Sequence, residues 1–143
     1  MARVDFYVLS EDAPDARLRY ACRLAEEQAE RGLRVYLQTG SPGETQRLDE
    51  LLWTYNDRSF LPHEIYRGEP ASHERVRVML GEQPPPPSLQ DLLINLSESA
   101  PIDLDAYVHI IEIVDIDPER KRTARERYKH YRERGCTLES KNV

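Results

Sequence analysis

The chain has 143 residues, enough for one domain and little more. Hydrophobic residues make up 39% and charged residues 32%, a globular balance that excludes an intrinsically disordered chain. The formal net charge of −6 argues against wholesale nucleic-acid binding, which needs a basic surface, and no apolar run approaches the ~20 residues of a membrane span.

The N-terminus lacks a basic region followed by an apolar stretch of signal-peptide length, so the expectation is a cytoplasmic protein. Cys22 and Cys136 stand far apart and form no CxxC pair, which suits reduced thiols. Cys22, among Tyr20, Ala21 and Leu24, reads as a buried structural thiol.

In chain order, residues 4–9 (Val-Asp-Phe-Tyr-Val-Leu) are short, β-rich and mostly apolar, and predict a buried strand. A helix is expected over 12–31, where Leu18, Cys22, Ala25 and Ala29 recur at spacings of three and four. Pro14 would lie in its first turn and Gly32 would cap its end. Residues 33–37 read as a second strand, parallel to the first across a βαβ crossover. Ser41-Pro42-Gly43-Glu44 resembles a capping box opening a helix over 41–55, with Leu48, Leu51, Leu52 and Tyr55 on one face.

Residues 56–68 predict a loop or short strand around Phe60-Leu61-Pro62, and residues 75–80 a further strand. Pro84 to Pro87 favour an extended polyproline II surface loop. The apolar runs 91–96 and 107–114 suit strands covered on both faces. Asp117 then serves as N-cap and Pro118 as first residue of a basic helix that Gly135 ends. The expected fold is a single α/β domain over 1–143, a mostly parallel central sheet flanked by helices.

Charge is uneven along this chain. Residues 118–134 hold eight bases (Arg120, Lys121, Arg122, Arg125, Arg127, Lys129, Arg132, Arg134) against three acids, a balance of +5. The remainder has 12 bases against 23 acids, or −11. One basic element on an acidic body suggests a local anionic partner.

Catalytic signatures are scarce. None of the six glycines forms GxGxxG or GxxxxGK[ST]. Gly40-Ser41-Pro42-Gly43 lies between a strand and a helix, but lacks the lysine and following Ser/Thr of a phosphate and magnesium site. His63, His73, His109 and His130 show no metal-ligand spacing, and His109 reads as a satisfied core histidine. No cofactor is expected. The enzymatic alternative is a metal-dependent nuclease or a nucleotide-binding α/β enzyme. Its nuclease form would need carboxylates and a lysine on strands, whereas the triplets Glu119-Arg120-Lys121 and Glu139-Ser140-Lys141 fall in a helix start and a tail.

On the basic helix, Lys121, Arg125, Tyr128, Lys129 and Arg132 form one stripe, edged by Ala124, Tyr128 and Tyr131. A solvated helix face would account for this pattern. So would a cationic-aromatic groove for a short acidic segment, with charge-assisted bonds to carboxylates and rings for apolar contact. Stacking of single-stranded nucleic acid is the other use of such a groove, and the −11 body disfavours it.

As an ordered set, Arg47-Leu48-Asp49-Glu50-Leu51-Leu52-Trp53, Ser59-Phe60-Leu61-Pro62-His63, residues 91–96, Glu112-Ile113-Val114-Asp115 and the run Ala124 to Arg132 (ARERYKHYR) resemble the chi-subunit family of bacterial DNA polymerase III. The resemblance runs from Phe6-Tyr7 to Gly135, and is weak between Gly68 and Leu89 and in the first helix. It implies a nucleotide-binding-like α/β fold without the phosphate loop, and no catalytic role. It also implies an adaptor that bridges the clamp loader, through the psi subunit or another clamp-loader component, to single-stranded DNA-binding protein (SSB). DNA would be engaged only indirectly, and no membrane is involved.

The ligand so implied is the acidic SSB C-terminal tail, which ends in a phenylalanine carboxylate. Matched by position, Arg125 and Lys129 would hold the terminal carboxylate and tail acids, Tyr128 and Phe60 would contact the terminal ring, and Lys121 and Arg132 would steer the acidic run. Trp53 and Phe60 match an apolar, aromatic part of the partner surface. Asp117 departs from the family, which can have an apolar residue there, and would repel an acidic tail unless its N-cap role turns it away. The tetraproline loop is not a family hallmark.

Overall fold

A computed structural model of the chain describes residues 2–56, 60–85 and 91–143. The strands are β1 (Arg3–Val8), β2 (Val35–Gln38), β3 (His63–Ile65), β4 (Val78–Gly81), β5 (Leu92–Asn95), β6 (His109–Val114) and β7 (Thr137–Asn142). The helices are α1 (Ala16–Glu30), α2 (Pro42–Thr54) and α3 (Pro118–Glu133), and Leu104–Ala106 forms a 3-10 turn. All seven strands join one sheet in the order β3-β4-β2-β5-β6-β1-β7. Every pairing is parallel, which sharpens the expectation of a mostly parallel sheet.

Strand alternation sends successive side chains to opposite faces, and two apolar layers result. Under α1 and α2 lie Val35, Leu37, Val78, Leu80, Leu92, Ile94, Ile111 and Ile113. Under α3 lie Val4, Phe6, Tyr36, Met79, Leu93, Ile110 and Val114, with Ala124 and Tyr131 from the helix itself. Each fully buried Leu or Ile contributes about 1.5–3 kcal/mol of transfer free energy, so the double cover is the main source of stability. Cys22 is fully buried against α1's side of the sheet, and burial pushes its thiol up to about 12, as suits an inert core residue.

Several boundaries differ from the sequence expectation. Helix α1 begins at Ala16, not residue 12, because Asp15 adopts a left-handed conformation (φ 59°) after a tight turn, leaving Pro14 ahead of the helix. The strand expected over 75–80 starts only at Val78, and the second strand shifts to 35–38. A short strand does form near Pro62, at 63–65. Residues 137–142, a tail by their sequence, form strand β7. They carry no apolar run because almost all of them are exposed at the sheet edge. Pro86, Pro87 and Ser59 fall outside the described residues, and with them part of the polyproline segment.

Helix ends follow local chemistry. Ser41 Oγ accepts a hydrogen bond from the Glu44 amide at 3.2 Å, as a capping box requires, while the Glu44 carboxylate reaches the Gly40 amide at 3.2 Å. Helix α3 closes in a Schellman motif. Gly135, at φ 81°, bonds Arg132 O, and the Cys136 amide bonds Tyr131 O, both at 3.1 Å. The left-handed glycine turns the chain directly into β7.

Candidate functional site: a cationic groove beside the basic helix

The orientation of α3 is set by what it buries. Ala124 and Tyr131 point into the sheet and are 5% and 0% exposed. Beneath them stands Glu112 on β6, fully buried. It accepts hydrogen bonds from Tyr131 Oη (2.5 Å), Asn95 Nδ2 (2.8 Å) and Arg127 Nε (3.1 Å). Burial raises the Glu112 carboxyl above the usual carboxylate range, and the charge of Arg127 and the bonds from Tyr131, Asn95 and Arg127 offset part of that rise. The same burial, with Glu112 alongside, raises the Tyr131 phenol. This network pins α3 in azimuth on a sheet that is otherwise apolar there.

With α3 so fixed, its cations divide into two groups. Arg120 pairs with Asp115 at 2.7 Å, Arg122 with Glu119 and Glu126, and Arg127 with Glu112 at 3.1 Å. Among the described residues, Lys121, Arg125, Lys129 and Arg132 form no ion pair within 4.0 Å. These four are the cations of the predicted stripe.

Lys121, Arg125 and Tyr128 line a groove between α3 and the strands below it. Its floor is Phe6, Val8, Val114 and Ala124, and Ser140 of β7 borders it. The Tyr128 ring packs on Phe6 at 5.2 Å and 56°, so its apolar face belongs to the groove wall. The groove encloses about 260 Å³, and a cavity of roughly 150 Å³ is enough for a benzene ring. An apolar floor with two unmatched cations at the rim suits a ligand that is aromatic at one end and anionic at the other. Lys129 and Arg132 stand exposed one turn further along and do not line it.

Asp117 is turned away from this groove. Its carboxylate accepts the Arg120 amide at 2.9 Å as the α3 N-cap, and it faces a separate hollow of about 560 Å³ at the carboxyl ends of β1 and β6. That larger hollow is lined by Glu11, Asp12, Asp15, Glu44, Asp115 and Asp117, with Arg17 and Arg120 already tied to Glu44 and Asp115, so it repels anions.

Trp53 and Phe60 lie elsewhere. They are 55% and 72% exposed, their rings are 5.7 Å apart, and Trp53 also packs on His63 of β3 at 4.6 Å. Strands β3 and β1 stand five positions apart in the sheet, roughly 24 Å at the usual strand spacing, and α2 covers the face opposite α3. The structure therefore does not bring Phe60 to Tyr128 around one ring. The groove residues that sequence reasoning missed are Phe6, Val8, Val114 and Ser140. The first three are legible only as core strand residues, and Ser140 carries no signal.

Two other expectations change. His109 is not a core histidine: its side chain is 27% exposed, with Nε2 2.6 Å from the buried Asp5 carboxylate. Glu139 and Lys141 do lie on a strand, yet Glu139 is matched by Arg3 at 3.2 Å and Lys141 at 3.8 Å. Among the described residues no cluster of three or more His, Cys, Asp or Glu could hold a metal ion, and no helix is long and apolar enough to cross a membrane. At the start of α2, where a nucleotide-binding fold cradles phosphate, the Glu44 carboxylate already takes the Gly40 amide and the Arg17 guanidinium, the latter at 2.7 Å.

Comparison with known proteins gives the family. The family model described as DNA polymerase III chi subunit, HolC, matches residues 1–139. A DNA polymerase III subunit chi of Pseudomonas aeruginosa is 38% identical over 139 residues, 97% of this chain and 95% of the relative. The subunit chi of Haemophilus influenzae is 33% identical over 142 residues, covering 96% of this chain and 95% of the relative. That of Escherichia coli K12 is 31% identical over 142 residues, covering 96% of each. The chain thus belongs to the DNA polymerase III chi subunit family, the accessory subunits of a DNA-replicating polymerase.

Proposed function

We propose that this chain is a non-catalytic cytoplasmic adaptor that binds the acidic C-terminal tail of SSB and joins it to the clamp loader. The observation that carries the reading is the groove of Lys121, Arg125 and Tyr128, where cations with no ion pair among the described residues flank an apolar floor. The terminal phenyl ring sits on Phe6, Val8 and Val114, against Tyr128. Arg125 and Lys121 hold the terminal carboxylate in charge-assisted bonds. Lys129 and Arg132 attract the acidic residues that precede it.

The exposed Trp53–Phe60 pair supports a second contact, with psi or another clamp-loader component, because large exposed rings are the usual anchors of protein interfaces. With the sites on opposite faces, both partners bind at once. The test is titration of a fluorescent SSB C-terminal peptide, with and without its terminal phenylalanine, against wild type and Arg125→Ala. Binding that weakens about tenfold or more on either change, a loss of about 1.4 kcal/mol, supports the reading. An intact peptide that does not bind refutes it.

A further inference from the structure

The sheet ends at β7, and among the described residues no strand covers its outer side. Parallel pairing with β1 uses alternate residues of β7. Thr137 donates to Ala2 O at 3.2 Å and Val143 to Val8 O at 3.0 Å, so the positions between them that face β1 are Glu139 and Lys141. The amide and carbonyl of Leu138, Ser140 and Asn142 therefore point outward, unused by the sheet. The side chains of these three residues share the α3 face with Phe6, since Val4, Phe6 and Val8 are their partners across β1. The open edge thus runs directly alongside the cationic groove, and Ser140 belongs to both.

We propose that the acidic peptide taken by the groove binds as an eighth strand on β7, its backbone hydrogen-bonding to Leu138, Ser140 and Asn142 while its alternate side chains turn toward α3. This rests on the groove being a peptide site, and it names how the main chain of that peptide is read. The charge pattern favours an acidic occupant on this side. Lys121 and Arg125 overlook the α3 face of the edge, while Glu139, the carboxylate of β7, is on the other face and matched by Arg3. Edge strands recruit extended peptides in this way, with main-chain bonds giving affinity and alternate side chains giving specificity.

The experiment is a backbone N-methylation scan of the synthetic acidic peptide ending in phenylalanine, one methylated amide per peptide. An added strand presents every second amide to β7, so methylation at alternate positions weakens binding roughly fivefold or more, and methylation between them is tolerated. Ser140→Pro removes one outward donor without touching the β1 ladder, since proline is accepted where an edge N–H faces away from the sheet. It should weaken the peptide by a similar factor, and by more than Ser140→Ala, which keeps the outward amide. Equal tolerance of methylation at every position, in a peptide that still needs Arg125, overturns strand addition and leaves the groove intact. A parent peptide that does not bind takes down both.

Discussion

The Tyr131 hydroxyl donates to Glu112 Oε2 at 2.5 Å, and both side chains are wholly buried, so this hydrogen bond joins the Arg127–Glu112 pair in tying the basic helix to the middle of the sheet. Tyr131→Phe removes that bond and leaves the rest of the packing in place. The expected cost is about 2 kcal/mol, read as a lower urea midpoint with unchanged slope. An unchanged midpoint would show that the bond only replaces one to water.

The same carboxylate makes stability depend on pH. Its folded pKa is raised by burial, so the unfolded chain gives up this proton first. The contribution is then fully present below the ordinary glutamate range and lost as pH rises through the folded value. Glu112→Gln cannot ionise. The stability of wild type relative to this variant should fall as pH rises from about 4 to about 8, in urea titrations at several pH values. A difference that grows with pH would show that Arg127 and the hydrogen bonds outweigh desolvation.

Binding of an acidic tail by Lys121 and Arg125 should be sensitive to salt. Between ~0.1 M and ~1 M the screening length drops from ~10 Å to ~3 Å. The dissociation constant of the tail peptide should rise steadily over that range, and much less for Arg125→Ala. A wild-type constant that does not move contradicts an electrostatic groove.

Trp53 and Tyr128 separate the two proposed surfaces. Tyr128→Ala removes part of the groove wall that packs on Phe6 and should weaken the tail peptide several-fold. Trp53→Ala, beside β3 and on the face of the sheet opposite α3, should leave peptide affinity unchanged, because distant sites behave independently. Parallel peptide titrations of the two variants decide this, and equal losses would argue for one continuous surface.

Asp117 caps α3 through the Arg120 amide. Asp117→Ala should cost about 1 kcal/mol in a denaturation experiment, the usual value of a lost N-cap.

Asp117, Pro118 and Gly135 make α3 legible from its residues alone, because caps and breakers are local chemistry. The apolar runs of β5 and β6 are legible for a similar reason: strands covered on both faces need no alternation. Strand β7 is not, since an edge strand held by one neighbour needs no apolar residues of its own. The stripe on α3 can be read from helical spacing, and the ion pairs of Arg120, Arg122 and Arg127 then show which cations remain unmatched. Spacing says nothing of which face of the sheet a helix covers. The family resemblance sets Phe60 and Tyr128 around one ring, and the faces their elements occupy part them, while Phe6 looks like core alone.

Strand β1 lies between β6 and β7, so the first strand to be made has for its only neighbours the last two. During synthesis Val4, Phe6 and Val8 have no sheet to join until residues beyond 109 have left the ribosome. Closing that long loop comes at an entropic cost before any native contact of β1 rewards it, the circumstance in which parallel sheets fold slowly and expose sticky edges. The groove beside α3, floored by β1 and bordered by β7, is therefore among the last parts of the molecule to exist.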